Sequence, residues 1–171
     1  MLRLFRLVGM SKYAPQTHAH DLPENARVAI VAARFNAHIV DELLVGCEER
    51  LAEIGFTTEN VEVHRVPGAF ELPVAAKMLG RAGNFAAIIC LGCVIRGDTP
   101  HFDYVAGEAA RGIQNVAIEL GIPVIFGVLT TETEKQARQR AGGKHGHAGQ
   151  RAADAAAEMI ALAARIGEQK A

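Results

Sequence analysis

The chain is predicted to fold as a three-layer α/β/α sandwich around a four-stranded parallel sheet. Apolar runs without in-and-out alternation recur along the chain, the pattern of strands buried on both faces. Segments with helical apolar spacing separate them, so each parallel strand is followed by a crossover helix. The length of 171 residues, 50 % hydrophobic and 22 % charged, suits one globular domain with a full-sized core.

The first strand is read over Arg27–Ala33, RVAIVAA. In the helix after it, Val40, Leu43, Leu44, Cys47, Leu51 and Ile54 share one face, and Gly55 ends it. VEVHRV, Val61–Val66, is the second strand. The turn PGAFELP follows, and a second helix begins near Glu71, with Pro73 in the first turn where its missing N–H costs nothing. FAAIICLGC, Phe85–Cys93, is the third strand, and the helix from about Pro100 to Leu120 buries Val105, Ala109, Ile113, Val116 and Leu120. PVIFGVL, Pro123–Leu129, is the fourth strand. TETEKQARQR reads as a short helix stopped by Gly142 and Gly143, KHGHAG as a loop, and Gln150–Ile166 as a last helix. That helix carries a narrow stripe of Ala153, Ala156, Ile160 and Ala163, suited to close packing on another helix.

Composition removes several function classes. A net charge of -1 gives no general reason to bind nucleic acid or an anionic membrane, and no apolar run is long enough to span a bilayer. The only serine is Ser11, so a serine nucleophile in the folded part is excluded. MLRLFRLVGM is a poor signal peptide because Arg3 and Arg6 interrupt its apolar region. The expectation is a cytoplasmic protein with Met10 as its natural start, a flexible tail over 1–26 and a single domain over 27–171. Cys90 and Cys93 form a C-x-x-C within an apolar run, where strand alternation sends them to opposite faces, so they read as core residues. His101, His145 and His147 lack a carboxylate or cysteine to complete a metal site, and no phosphate-binding G-x-x-x-x-G-K-[ST] is present.

Ligands of open parallel sheets bind beyond the carboxyl ends of the strands. That rule selects RFNAH, PGAFE, VIRGDTPH and LTTET. In the third of these, Thr99 is a good helix cap, Pro100 suits the first helical position, and Asp98 competes as cap. Such a start is either a cap alone or an anion site, because its free N–H groups and the helix dipole favour phosphate. His101 lies beside it as a candidate proton carrier. Phe35 either stacks on a flat heterocycle or docks on a neighbouring subunit. Pro67–Glu71 can present backbone donors to ligand hydroxyls and Glu71 can accept from them, or the segment is only a turn and a helix start.

Taken together and in order, ARFN, VPGAFELP, GCVIRGDTPHFDYV, PVIFGVLTTE and QRAGGKHGHAG resemble the lumazine synthase family, from about Arg27 to the last helix. The resemblance implies a flavodoxin-like fold and the condensation of 5-amino-6-ribitylamino-uracil with 3,4-dihydroxy-2-butanone 4-phosphate. The product would be 6,7-dimethyl-8-ribityllumazine, with loss of phosphate and water and with no metal or organic cofactor. It places the stacking aromatic on Phe35, the ribityl-contacting segment on Ala69, Phe70 and Glu71, and the pyrimidine-facing backbone on Val94 and Ile95. It places the phosphate turn on Asp98 and Thr99, the acid/base histidine on His101, the phosphate-binding arginine on Arg140 and a neighbour's aromatic on Phe126. It further implies a homopentamer with shared sites, and a 60-subunit shell is sterically open. One departure stands out: Gly146-His147-Ala148-Gly149 occupies the place of the family's usual Gly-Asn-Lys-Gly. A catalytically weak shell or ligand-storage paralogue is the alternative. A phospho-accepting receiver module would need acidic residues where Arg34, Phe35 and Asn36 stand.

Overall fold

The computed structural model describes residues 22–168. Strands β1 (Val28–Ala33), β2 (Val61–Val66), β3 (Ala87–Ile95) and β4 (Val124–Thr131) form one parallel sheet in the order β2-β1-β3-β4. Helices α1 (Ala37–Ile54) and α5 (Ala148–Glu168) cover one face, and α2 (Leu72–Ala82) and α3 (His101–Leu120) cover the other. The result is the expected flavodoxin-like sandwich.

Alternation along the central strands builds two cores. Ile30, Ala32, Ile89 and Leu91 pack beneath α1 and α5, while Val31, Ala33, Ile88 and Cys90 pack beneath α2 and α3. All of β1 and all but the last residue of β3 are buried, which explains their continuous apolar character. Cys90 and Cys93 fall in opposite cores, and burial lifts their thiols to about 12 and about 11. Both are therefore neutral packing residues at physiological pH.

Helix α1 ends at Gly55, whose φ of 117° lets its N–H reach back to the carbonyls of Leu51 and Ala52. Helix α5 lies close on α1 because the contact is made of small residues. A Cβ on Gly149 would collide with the Leu43 carbonyl oxygen, and one on Gly46 would collide with the His147 ring. Ala163, assigned to the packing stripe, is instead exposed.

Several boundaries differ from expectation. Strand β3 is displaced two residues, to Ala87–Ile95, and β4 continues to Thr131, which lengthens the strand-end platform. The short helix α4 covers only Glu134–Arg138. The segment read as a helix stop and loop forms an antiparallel hairpin, β5 (Ala141–Gly143) with β6 (Gly146–His147), before α5 starts at Ala148. The glycines act there as turn formers, with φ of 105° at Gly142 and 78° at Gly146. Strands of three and two residues are too short for any period to be visible in sequence.

The expected tail over 1–26 falls mostly outside the described residues. Within them, Ala26 is buried and Leu22 packs on the α1/α5 core. No described helix is long and apolar enough to cross a membrane.

Candidate active site

In a doubly wound sheet the chain leaves in opposite directions where the strand order reverses, and a crevice opens at that point. Here the reversal lies between β1 and β3. A cleft of about 550 Å³ sits beyond their carboxyl ends, lined by the loop after β1, the 3-10 turn Ala69–Glu71 before α2, the end of β3 and the start of α3.

The β1 loop is fixed by its neighbours. Arg34 N–H donates to Val66 O at 2.8 Å and Phe35 N–H to Pro67 O at 3.0 Å, which joins it to the β2 loop. Asn36 takes a left-handed backbone, φ 56° and ψ 42°, and its Nδ2 donates to Cys93 O at 2.9 Å. Asparagine tolerates this conformation better than most residues. The bend turns the chain into α1 and leaves Phe35 71 % exposed on the rim. Cys93, Val94 and Ile95 form the floor.

At the other wall, Thr99 Oγ1 accepts from His101 N–H at a long 3.4 Å, and the first helical residue is His101, one later than expected. The first turn of α3 thus leaves N–H groups available at its amino end. The His101 ring has no intrachain hydrogen bond or ion pair among the described residues. Phe102, Tyr104 and Val105 complete this wall, and Tyr104 is 70 % exposed. Arg96 spans the back of the turn through both oxygens of Asp103 and through Glu132. Its guanidinium holds the Asp103 carboxyl below the usual carboxylate range.

Among the residues selected in sequence, Phe35, Ala69, Phe70, Glu71, Val94, Ile95, Thr99 and His101 line this one cleft. Asp98 lies in the same turn without lining it. Phe126 and Arg140 lie elsewhere in the protomer. Phe126 pairs in register with Cys90, in the first half of edge strand β4, and is half-exposed. Arg140 follows α4, where its Nη1 donates to Gln136 O at 2.9 Å.

Asn36, Phe102 and Tyr104 also belong to the lining, and the sequence assigns none of them a role. Helical spacing carries the signal for Tyr104, since the third residue after His101 shares its face. For Asn36 the signal is an asparagine placed directly between a strand end and a helix start. No group of three or more His, Cys, Asp or Glu able to hold a metal occurs among the described residues. His147 packs against Gly46, its Nδ1 buried and without a partner. Desolvation, with Arg151 second, lowers its pKa from 6.5.

A cleft at the switch point, with an apolar floor, aromatic rims, a helix amide end and an imidazole, defines a small-molecule enzyme of the parallel α/β class. Comparison with known proteins narrows the class. The model of the 6,7-dimethyl-8-ribityllumazine synthase family matches residues 25–164. A protein of that name from Protochlamydia amoebophila (strain UWE25) is 52 % identical over 137 residues, 80 % of either chain. Another, from Desulfatibacillum aliphaticivorans, is 51 % identical over 140 residues, 82 % of this chain and 90 % of its own. A third, from Stenotrophomonas maltophilia (strain R551-3), is 49 % identical with the same coverage. The chain belongs to the 6,7-dimethyl-8-ribityllumazine synthase family, transferases of riboflavin biosynthesis.

Proposed function

We propose that the protein condenses 5-amino-6-ribitylamino-uracil with 3,4-dihydroxy-2-butanone 4-phosphate, giving 6,7-dimethyl-8-ribityllumazine, phosphate and water. One juxtaposition supports this above all: Phe35, the Ala69–Glu71 turn, the Val94–Ile95 strand end and the Thr99–His101 helix start meet on one cleft. On this reading the uracil stacks on Phe35 and meets the backbone of Val94 and Ile95. The ribityl hydroxyls engage Ala69, Phe70 and the Glu71 carboxylate. The phosphate takes the amide end of α3 at Asp98 and Thr99. Arg140 and Phe126 come from the adjacent protomer of a homopentamer, since neither lines the cleft of its own chain.

The amine adds to the ketone, and water leaves as the imine forms. The imine gives up the proton on the adjacent carbon, phosphate departs with its C–O electron pair, and the enol left behind tautomerises to a carbonyl. The ribitylamino nitrogen adds to that carbonyl and expels a second water as the second ring closes. No step requires an oxidant or reductant. Holding two reactants in register can contribute up to about 7–11 kcal/mol, so positioning is the main effect. His101 moves protons during phosphate loss and ring closure, typically a factor of about 10²–10⁴. The working compartment on this reading is the cytoplasm.

The test is an absorbance assay for lumazine formation by the purified protein, with steady-state kinetics on two variants. His101→Ala is expected to lower kcat without abolishing turnover. Arg140→Ala is expected mainly to raise KM for the phosphorylated ketone. Unchanged parameters in both would falsify the site assignment. Assembly and ligand binding without product would favour the storage alternative.

A further inference from the structure

The condensation leaves Arg96 without a part, although it braces the turn beside the cleft. Its Nη2 and Nη1 lie 2.9 and 3.2 Å from the two Asp103 oxygens, and its Nε lies 2.8 Å from Glu132 Oε2. Its Cζ stands 4.2 Å from the centre of the Phe102 ring, and its backbone N–H donates to Thr131 O at 2.9 Å. The end of β3, the end of β4 and the first turn of α3 are therefore joined at one guanidinium. The Gly97–Pro100 turn runs between Arg96 and the helix start that Arg96 holds.

Asp103 is two residues beyond His101, in the first turn of α3, the end where the phosphate is proposed to bind. A free carboxylate at that place would oppose an incoming anion. Bound by the planar fork of an arginine, it is neutralised and turned toward Arg96. An exposed ion pair of this kind contributes little to stability, so packing alone gives a weak reason for the arrangement.

We propose that Arg96 is a positioning residue for the phosphorylated substrate: it fastens the Gly97–Pro100 turn and the α3 start to β4 and neutralises Asp103, so that helix amides and His101 meet the anion unopposed. This rests on the condensation proposed above.

The test compares the unmodified protein with Arg96→Ala, Arg96→Lys and Arg96→Ala/Asp103→Asn. Two readouts are used: steady-state kinetics with each substrate varied, and calorimetric titration with inorganic phosphate, which needs no turnover. For Arg96→Ala, KM for the butanone phosphate and Kd for inorganic phosphate are expected to rise about three- to tenfold, the scale of one lost charge-assisted contact. KM for the aminouracil should stay within about twofold, because the stacking wall is untouched. Arg96→Lys should fall between, since one ammonium cannot bridge both carboxylates. Adding Asp103→Asn should recover most of the loss.

Unchanged phosphate Kd and KM in Arg96→Ala would overturn the proposal. So would an equal loss for both substrates, or no recovery in the double variant. If Arg96→Ala does not fold, Arg96→Lys is held to the same criteria. Failure of the underlying reading looks different: the unmodified protein then makes no lumazine, yet still binds inorganic phosphate more tightly than the arginine variants.

Discussion

Asn36 shows how one residue can shape a site without reacting. Its left-handed backbone and its bond to the Cys93 carbonyl turn β1 into α1 and present Phe35. Asn36→Ala keeps the unfavourable φ and loses the hydrogen bond, so a destabilisation of about 1–2 kcal/mol is expected by urea denaturation. Asn36→Gly should lose less, because glycine adopts that conformation freely. Phe35→Ala should raise KM for the aminouracil about three- to tenfold, consistent with about 0.5–1.5 kcal/mol for an aromatic stack, and leave KM for the phosphorylated ketone nearly unchanged. The cleft residues were legible in sequence where chemistry dictates type: an aromatic, a carboxylate, a helix start and a histidine at strand ends, although Pro100 and not Thr99 takes the cap position. Arg96 was not, because its partners Asp103 and Glu132 are 7 and 36 positions away and spacing alone does not join them.

At the scale of elements, the close approach of α1 and α5 rests on glycine and alanine. Gly149→Ala is expected to destabilise by about 1–3 kcal/mol, since the added Cβ meets the fixed backbone carbonyl of Leu43 rather than a movable side chain. Gly107→Ala, in α3 where a Cβ meets nothing within 4 Å, should stabilise by about 0.5–1 kcal/mol. Denaturation midpoints of both variants check the contrast. Strands β1 and β3 were legible because burial on both faces removes alternation, and the long helices because burial on one face imposes a period. Strand β2, on the sheet edge with only Val66 of its residues buried, was found at its observed bounds. The β5–β6 hairpin escaped because its glycines serve equally as helix stops and as positive-φ turn residues, and only three-dimensional pairing separates the two.

For the whole molecule, shifted groups define a pH window of stability. The carboxyls of Asp103, Glu119 and Glu134 are lowered by hydrogen bonds from Arg96, Lys77 and Arg138 respectively, so their contributions are present above the ordinary carboxylate range and lost as pH falls through the folded values. His147, lowered from 6.5 mainly by desolvation, adds an acid-side cost that begins at its unfolded value. The thiols of Cys47 and Cys90, raised from 9.0 to about 12 by burial, favour the folded state below 9.0 and withdraw that support as pH climbs toward 12. Urea midpoints should therefore be flat between about pH 6.5 and 9 and fall on both sides. A monotonic rise from pH 4 to 11 would contradict this. Each reaction site is proposed to be built by two protomers, the anion held between the α3 start of one and Arg140 of the next. The most direct measurement is the activity of mixed assemblies of His101→Ala and Arg140→Ala protomers. Random mixing in equal amounts gives about a quarter of the clefts an intact pair, so activity is expected to recover toward that fraction. Activity no higher than the mean of the separate variants, in assemblies verified as mixed, would mean that each protomer completes its own site.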